Sequence, residues 1–174
     1  GLIRVTKAFL PFLKKTKGRL INVASMASLG VTPGVSCYCS TKFAVDGFSR
    51  SLRMEIKPFG IKVILIHPGS FATEMGRVAQ GQFEKHFNEH PEMHEEYGKQ
   101  YLEGTIKVTS AVKFGDPKDV VDAMVNAITS ENPKARYVVG FDAMIIRIIG
   151  MLPDYLGDKL MEILIPLPKP QCVQ

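Results

Sequence analysis

Three residues of this chain, Ser25, Tyr38 and Lys42, have side chains and a spacing that suit proton transfer near neutral pH. Tyr38 and Lys42 lie four positions apart, so their side chains share one face if the segment is helical. A free phenol has a pKa of about 10 and is a poor base at neutral pH. An ammonium about 4 Å away would stabilise the phenolate by roughly 4 kcal/mol at an effective dielectric of about 20. That is nearly enough for a tyrosine to act as a general acid or base near neutrality.

The elements around these residues predict how they meet. Residues 19–25 form a short apolar run that predicts a strand, and the apolar spacing over 38–57 predicts a helix. The continuous apolar run 61–67 predicts a second strand that is buried on both faces, as in a parallel sheet. In such a sheet, ligands bind in the crevice outside the carboxyl ends of the strands. Ser25 would therefore hydrogen-bond the substrate oxygen that Tyr38 protonates or deprotonates.

The second predicted strand ends in a turn that is suited to a flat ligand. Pro68 and Gly69 follow it directly, and Thr73 lies a few residues further on. Gly69 would let the backbone approach a flat ligand closely. Thr73 has a hydroxyl that could donate to an amide or a phosphate.

The remaining sequence indicates one partial domain over 1–174 with a long polar insertion. Residues 70–115 are rich in Glu, His and Lys and predict one or two helices, in the kind of segment that often forms a lid or a substrate loop. The other expected elements are a helix over 2–14 bent near Pro11, a helix over 116–130 and a strand over 136–141. An apolar tail follows over 143–174. Within it, residues 143–165 predict two short apolar helical stretches that Pro153 separates.

Composition indicates a globular protein. The chain has 174 residues, of which 45% are hydrophobic and 22% charged. Its net charge of +5 is only mildly basic, and the lysines are not grouped with aromatic residues, so we expect no nucleic-acid partner. The chain begins at Gly1 inside an apolar periodic pattern, without a signal peptide, which indicates a fragment.

The histidines and cysteines predict neither a metal site nor a disulfide. His86, His90 and His94 are spaced four apart, but Pro91 interrupts their helix and no clear further ligand accompanies them. The cysteines fit neither an ordinary bridge nor a zinc site, which suits a reducing compartment. They are Cys37, Cys39 and Cys172.

The tail leaves alternatives open. Residues 144–152 are strongly apolar but too few to span a bilayer. They fit a core helix, a lining of the substrate pocket, or an interfacial membrane anchor.

Taken together, these motifs resemble the carboxyl-terminal part of a short-chain dehydrogenase/reductase. The resemblance runs from Gly1 to about Phe141. Within that family the chain is similar to the retinol, 17β-hydroxysteroid and 3-hydroxybutyrate dehydrogenase branch. The runs that carry the resemblance are Asn22-Val23-Ala24-Ser25, Tyr38-Cys-Ser-Thr-Lys42, Pro68-Gly69 with Thr73, Gly-Arg-Leu-Ile-Asn-Val, Tyr-Cys-x-x-Lys-Phe, Phe-Ser-Arg-Ser-Leu-Arg, and Tyr97-Gly98-Lys99 in the insertion.

The resemblance implies a fold and a reaction. The fold would be α/β, a Rossmann-type three-layer sandwich with a parallel sheet, present here as its carboxyl-terminal half. The reaction would be hydride transfer between NAD or NADP and a secondary or allylic alcohol or its carbonyl. Tyr38 would be the general acid/base, Lys42 would activate it and bind the nicotinamide ribose, and Ser25 would orient the substrate oxygen. The implied contacts to the nicotinamide end of the cofactor are Pro68, Gly69 and Thr73, together with Tyr38 and Lys42.

The resemblance also has gaps and rivals. The family's glycine-rich phosphate loop has no counterpart here, and Asn22 does not match the position of its catalytic asparagine. The substrate would be a lipophilic steroid or retinoid. The alternatives are a small hydroxy acid such as 3-hydroxybutyrate, a non-catalytic cofactor-binding protein, or an inactive fragment. The resemblance implies an intracellular protein. It would be associated with the endoplasmic reticulum membrane or located in the mitochondrion, and otherwise cytoplasmic. Peripheral membrane contact and homo-oligomerisation are both possible.

Overall fold

The computed structural model describes residues 1–74, 78, 81, 85, 86 and 88–166. Within these residues, three parallel strands form one sheet in the order β1-β2-β3: β1 (Arg19–Val23), β2 (Lys62–Pro68) and β3 (Arg136–Val139). The helices are α1 (Leu2–Thr16), α2 (Ser36–Ile56), α3 (Pro91–Tyr97), α4 (Lys99–Ser110), α5 (Pro117–Thr129), α6 (Phe141–Ile149) and α7 (Asp154–Leu164), with 3₁₀ turns at Met26–Ser28 and Lys57–Phe59.

The central strand β2 carries the core. Its residues Ile64, Leu65 and Ile66 are at most 1% exposed, as the continuous apolar run predicts. Alternate side chains along a strand point to opposite faces of the sheet. Val63 packs with residues of α1 and α2, whereas Ile64 and Ile66 pack with residues of α5. Helices therefore cover both faces of a parallel sheet, which confirms the predicted three-layer α/β architecture.

Several element boundaries differ from the sequence predictions. Strand β1 ends at Val23 because Ser25 caps the 3₁₀ turn that follows it. Strand β3 ends at Val139, so its predicted extension to residue 141 is wrong: Gly140 turns the chain at φ 104°, and Phe141 begins α6. Helix α1 continues through Pro11 to Thr16 and ends at Lys17, which is left-handed at φ 48°.

The carboxyl end of α6 packs tightly against the loop after the 3₁₀ turn at Met26–Ser28. A Cβ added at Gly150 would lie 2.0 Å from the carbonyl oxygen of Leu29 and 2.9 Å from the Cα of Gly30. Both atoms belong to the backbone, so rotation of a side chain cannot relieve the contact. We expect Gly150→Ala to lower the free energy of unfolding by about 3 kcal/mol, measured by urea denaturation.

Gly47 in α2 provides the matched control for this substitution. A Cβ added there meets nothing within 4 Å. Alanine replaces glycine in an open helix position with a gain of about 0.5–1 kcal/mol. Equal effects of Gly150→Ala and Gly47→Ala on unfolding would contradict the close backbone contact.

Candidate active site

Ser25 lies directly beyond β1, at the carboxyl edge of the sheet. It is the N-cap of the 3₁₀ turn at Met26–Ser28, and its Oγ accepts a hydrogen bond from the backbone N–H of Ala27 at 3.2 Å. That bond holds the oxygen in place and leaves the hydroxyl proton to donate to a ligand oxygen. The short strand and the immediate turn explain why this serine is presented at the edge of the sheet.

Tyr38 and Lys42 lie in the first two turns of α2, next to the end of β1. Both are half-buried. The Lys42 Nζ donates to the carbonyl oxygen of Val23 at 3.3 Å and lies 5.6 Å from the centroid of the Tyr38 ring. The shared helix face predicted from their spacing is therefore observed. The hydrogen bond to Val23 also ties this face to the strand that leads to Ser25.

The turn after β2 is held by a carboxylate that sequence reasoning missed. The Asp142 side chain accepts hydrogen bonds from the backbone N–H of Ser70 at 2.6 Å and of Ala143 at 2.8 Å. A Cβ added at Gly69 would lie 2.0 Å from the Asp142 Oδ1. Gly69 therefore admits this carboxylate, which is a different reason for a glycine than the approach of a flat ligand. An aspartate that follows a strand and opens an apolar helix is the only signal in the sequence.

The other predicted cofactor contacts lie along the same segment. Pro68 is the last residue of β2, and the backbone N–H of Gly69 donates to the carbonyl oxygen of Val139 on β3 at 2.8 Å. Thr73 is exposed and follows the isolated bridge between Phe71 and Gly115. The structure thus places Pro68 and Gly69 at the same sheet edge as Ser25, with Thr73 further out on the surface.

A buried polar group lies behind this edge and was also missed. His67 on β2 is fully buried. Its Nδ1 lies 3.2 Å from the carbonyl oxygen of Ser25 and 3.1 Å from the Oγ of Ser28, and its Nε2 lies 3.4 Å from Asp46 Oδ1. Asp46 accepts in turn from Arg136 on β3 at 2.8 Å. A histidine at the end of an otherwise apolar strand was the visible signal.

The buried position lowers the pKa of His67 from its ordinary value of 6.5. The largest cause is the loss of the water that would solvate the imidazolium, and the positive charges of Arg136 and Arg147 act in the same direction. The contact with the Ser25 carbonyl and the negative charge of Asp46 oppose them. The imidazole is therefore neutral in the folded protein at neutral pH.

This lowered pKa predicts a loss of stability in mild acid. Above its ordinary value of 6.5, His67 is neutral in both the folded and the unfolded states. As the pH falls below 6.5, the unfolded chain binds the proton first, so the free energy of unfolding decreases, by at most about 1.4 kcal/mol per pH unit. The free energy of unfolding in urea is measured for wild type and His67→Asn on both sides of pH 6.5. The difference between the two proteins isolates this contribution, because they share all other titratable groups. An identical pH dependence in the two proteins would exclude it.

A cavity of about 590 Å³ opens beside the predicted site. Met26 and Ser70, the sequence neighbours of Ser25 and Gly69, form part of its wall, although Ser25, Tyr38 and Lys42 are not among the described residues that line it. Most of the wall is apolar: Phe71, Val112, Phe114, Ile145, Ile146, Leu164 and Ile165. Its charged residues are Lys113, Asp119 and Asp142.

Comparison with known proteins identifies the family. The pattern of the short chain dehydrogenases matches residues 1–82. Retinol dehydrogenase 16 of Rattus norvegicus is 35% identical over 176 residues, which are 97% of this chain and 55% of the relative. The mitochondrial D-beta-hydroxybutyrate dehydrogenase of the same species is 37% identical over 145 residues, or 79% of this chain and 42% of the relative. The chain belongs to the short-chain dehydrogenase/reductase family.

Solved structures of short-chain dehydrogenases share this fold. One from Streptomyces avermitilis matches 92% of this chain and 55% of its own with a TM-score of 0.62 at 28% identity. One from Burkholderia cenocepacia, in complex with NADP, matches 96% and 55% with a TM-score of 0.65 at 21% identity. This chain spans about half the length of the curated relatives that it matches.

The remaining sequence predictions concern membrane spans, metal sites and cysteines. None of the described helices is long and apolar enough to cross a membrane. Within the described residues, no group of three His, Cys, Asp or Glu side chains could hold a metal ion. His90 lies with its ring 4.3 Å from that of His86, and its Nδ1 lies 2.7 Å from Glu92. Cys37 is exposed and Cys39 buried, both as free thiols, and Cys172 lies outside the described residues.

Proposed function

We propose that the protein is an NAD(P)-dependent oxidoreductase that interconverts a secondary or allylic alcohol and its carbonyl. The observation that carries this proposal is the placement of Ser25, Tyr38 and Lys42 at one edge of a parallel sheet. Family membership supports it, because the members compared above are named as dehydrogenases.

The residues present fit a nicotinamide cofactor. Lys42 uses one of its three N–H donors on the Val23 carbonyl, which leaves the others for ribose hydroxyls. The turn at Pro68 and Gly69 lies at the carboxyl end of the neighbouring strand, where ligands of open α/β sheets bind. When bound, the cofactor supplies the hydride acceptor or donor. This sequence contains no glycine-rich loop for the phosphate groups of the cofactor.

The chain's own residues perform the proton chemistry. In the oxidation direction, the Ser25 hydroxyl donates a hydrogen bond to the substrate oxygen and orients it. The Tyr38 oxygen acts as the general base that takes the hydroxyl proton as the hydride leaves the adjacent carbon, and the Lys42 ammonium stabilises negative charge on that oxygen. In the reduction direction, Tyr38 returns the proton to the carbonyl oxygen. We expect no metal to take part in the proposed reaction.

The cavity favours a lipophilic substrate such as a retinoid or a steroid. Its wall is mainly aliphatic and aromatic, which suits an apolar ligand. The named activity of the rat relative retinol dehydrogenase 16 agrees with this choice. We further propose that residues 70–115, which contribute Phe71 and Phe114 to this wall, form the substrate loop.

A small hydroxy acid is the second candidate. Lys113 on the cavity wall is a possible partner for a carboxylate. The similarity to D-beta-hydroxybutyrate dehydrogenase supports it. Asp119 and Asp142 on the same wall would repel a carboxylate, and this favours the uncharged, lipophilic substrate.

The apolar tail suggests a location for the protein. Ile145 and Ile165 line the cavity, whereas Ile148, Met151 and Ile163 are more than half exposed. We propose that one face of the tail lines the substrate pocket. The other face would make peripheral contact with a membrane of the endoplasmic reticulum or the mitochondrion. A mitochondrial relative supports the latter. Co-sedimentation of the full-length protein with liposomes, lost when Met151 and Ile163 become Ser, tests this contact.

Turnover of the full-length protein with NAD and with NADP tests the proposed function. The alcohols compared are all-trans-retinol, a 17β-hydroxysteroid and 3-hydroxybutyrate, and the readout is cofactor reduction. We expect the highest kcat/KM with one of the two lipophilic alcohols. Preference for 3-hydroxybutyrate would establish the second candidate. Tight cofactor binding without turnover of any alcohol would instead indicate a non-catalytic cofactor-binding protein.

A further inference from the structure

We propose that His67 is a positioning residue, which fixes the backbone of Ser25 through its Nδ1. This inference rests on the proposed function, because it assigns His67 a role in orienting groups that act on the substrate. His67 does not need to touch the substrate for this role, since it lies fully buried behind the sheet edge.

The contacts of the Ser25 carbonyl determine the tautomer of the imidazole. A carbonyl oxygen can only accept hydrogen bonds, so His67 Nδ1 at 3.2 Å must carry the hydrogen of that contact. The Ser28 hydroxyl donates to the same carbonyl at 2.7 Å, and its oxygen is then free to accept from His67 Nδ1 at 3.1 Å. Two donors thus converge on one carbonyl, which holds the turn that presents the Ser25 Oγ.

The other ring nitrogen faces the helix of the proposed acid/base residues. With hydrogen on Nδ1, the neutral imidazole places the lone pair of Nε2 3.4 Å from Asp46 Oδ1, and two acceptors form no hydrogen bond. No described residue completes a hydrogen bond to this Nε2. Asp46 follows Lys42 by four residues on α2, just as Lys42 follows Tyr38, so the three lie along one helix face.

Arg136 binds the Asp46 carboxylate from the third strand. Its guanidinium donates to Asp46 Oδ1 at 2.8 Å, so the oxygen nearest His67 already has a cationic partner. The charged groups that act on the imidazole are therefore Asp46 from α2, Arg136 from β3 and Arg147 from α6. The bond between Arg136 and Asp46 joins β3 to α2, and the contact between His67 and the Ser25 carbonyl joins β2 to the residue that follows β1.

An apolar side chain would be the ordinary choice for this position. Ile64, Leu65 and Ile66 precede His67 on the same strand, and a buried polar group is unfavourable unless its hydrogen bonds are made. The imidazole makes its bond to Ser25, which follows β1 and carries the proposed substrate-orienting hydroxyl. Because small displacements of reacting groups can reduce the rate by about 100-fold, the loss of this bond should affect turnover more than ligand binding.

Three substitutions separate the hydrogen bond from the volume of the side chain. His67→Asn keeps an amide N–H close to the position of Nδ1, His67→Gln moves it towards the position of Nε2, and His67→Leu removes it. We expect kcat to fall by about 10- to 100-fold in His67→Leu and His67→Gln, and by only about 3-fold in His67→Asn. The dissociation constant of the cofactor should stay within about 2-fold of wild type in all three. Equal losses of kcat in the three variants, or no loss in any, would overturn the positioning role.

Nitrogen-15 NMR of the imidazole gives a readout that does not depend on activity. In the full-length wild-type protein we expect the tautomer with hydrogen on Nδ1 and a neutral ring at neutral pH. A ring with hydrogen on Nε2 would overturn the inference. An active wild type whose His67→Leu variant turns over normally would remove only the positioning role. A wild type that is inactive with every alcohol would remove the proposed function, and the positioning role with it.

Discussion

Replacement of Tyr38 by Phe is expected to reduce kcat/KM for the alcohol by about 10³-fold, or roughly 4 kcal/mol of transition-state stabilisation. The substitution removes only the phenolic oxygen, which is the group proposed to take the substrate proton. The half-buried ring and its contact with the Lys42 ammonium remain possible in the variant, since both depend on the ring face. The measurement is steady-state turnover of the full-length protein with its preferred alcohol.

The same chemical change at Tyr155 is the matched control. Tyr155 lies on α7 and is 72% exposed, so Tyr155→Phe should leave kcat/KM unchanged. Cofactor affinity should stay within about 2-fold of wild type in both variants, because a proton-transfer group contributes to the transition state and not to ground-state binding. Near-normal turnover by Tyr38→Phe would remove the proposed mechanism, whereas weakened cofactor binding in the same variant would give Tyr38 a binding role instead.

The sequence predicts the parts of this site that depend on local spacing. Tyr38 and Lys42 share a helix face because they are four residues apart, and Ser25 comes at the end of a short apolar run that predicts a strand. Parallel pairing then brings the ends of β1 and β2 to one edge, and the observed register of Val23 opposite Ile66 agrees. Each of these steps uses the order of residues along one short segment.

The missed residues depend on contacts between distant segments. Asp46 and Arg136 are 90 positions apart, and Asp142 lies 72 positions from the Ser70 amide that it binds. On its own segment, Asp46 is an ordinary polar residue of an amphipathic helix, and nothing in the periodicity shows that it is buried. His67 was visible as an irregularity in an apolar strand, but its partners could be found only from the three-dimensional arrangement. The end of β3 was misplaced for a local reason, because the apolar Phe141 was counted with the strand although the chain turns at Gly140.

Gly69→Ala is expected to lower both stability and cofactor affinity. The new Cβ would lie 2.0 Å from Oδ1 and 2.6 Å from Cγ of Asp142, so the carboxylate must move. Movement breaks its hydrogen bond to the Ser70 N–H, an interaction of a charged group that contributes about 1.5–3 kcal/mol. The usual gain from replacing glycine by alanine, about 0.4–1 kcal/mol, does not offset this loss. We expect the free energy of unfolding to fall by about 2 kcal/mol and cofactor affinity to fall with it.

A double-mutant cycle with Asp142→Ala tests whether the carboxylate is the cause. If the clash with Asp142 is what destabilises Gly69→Ala, then the same substitution in the Asp142→Ala background meets no carboxylate and should have little further effect on stability. The double variant should then be more stable than the sum of the single effects by about 1–2 kcal/mol. Additive effects would show that Gly69 is required for its own backbone and not for Asp142. A cofactor affinity that stays low in the double variant, after stability has recovered, would indicate that the glycine also admits the cofactor, as its position at the end of β2 suggests.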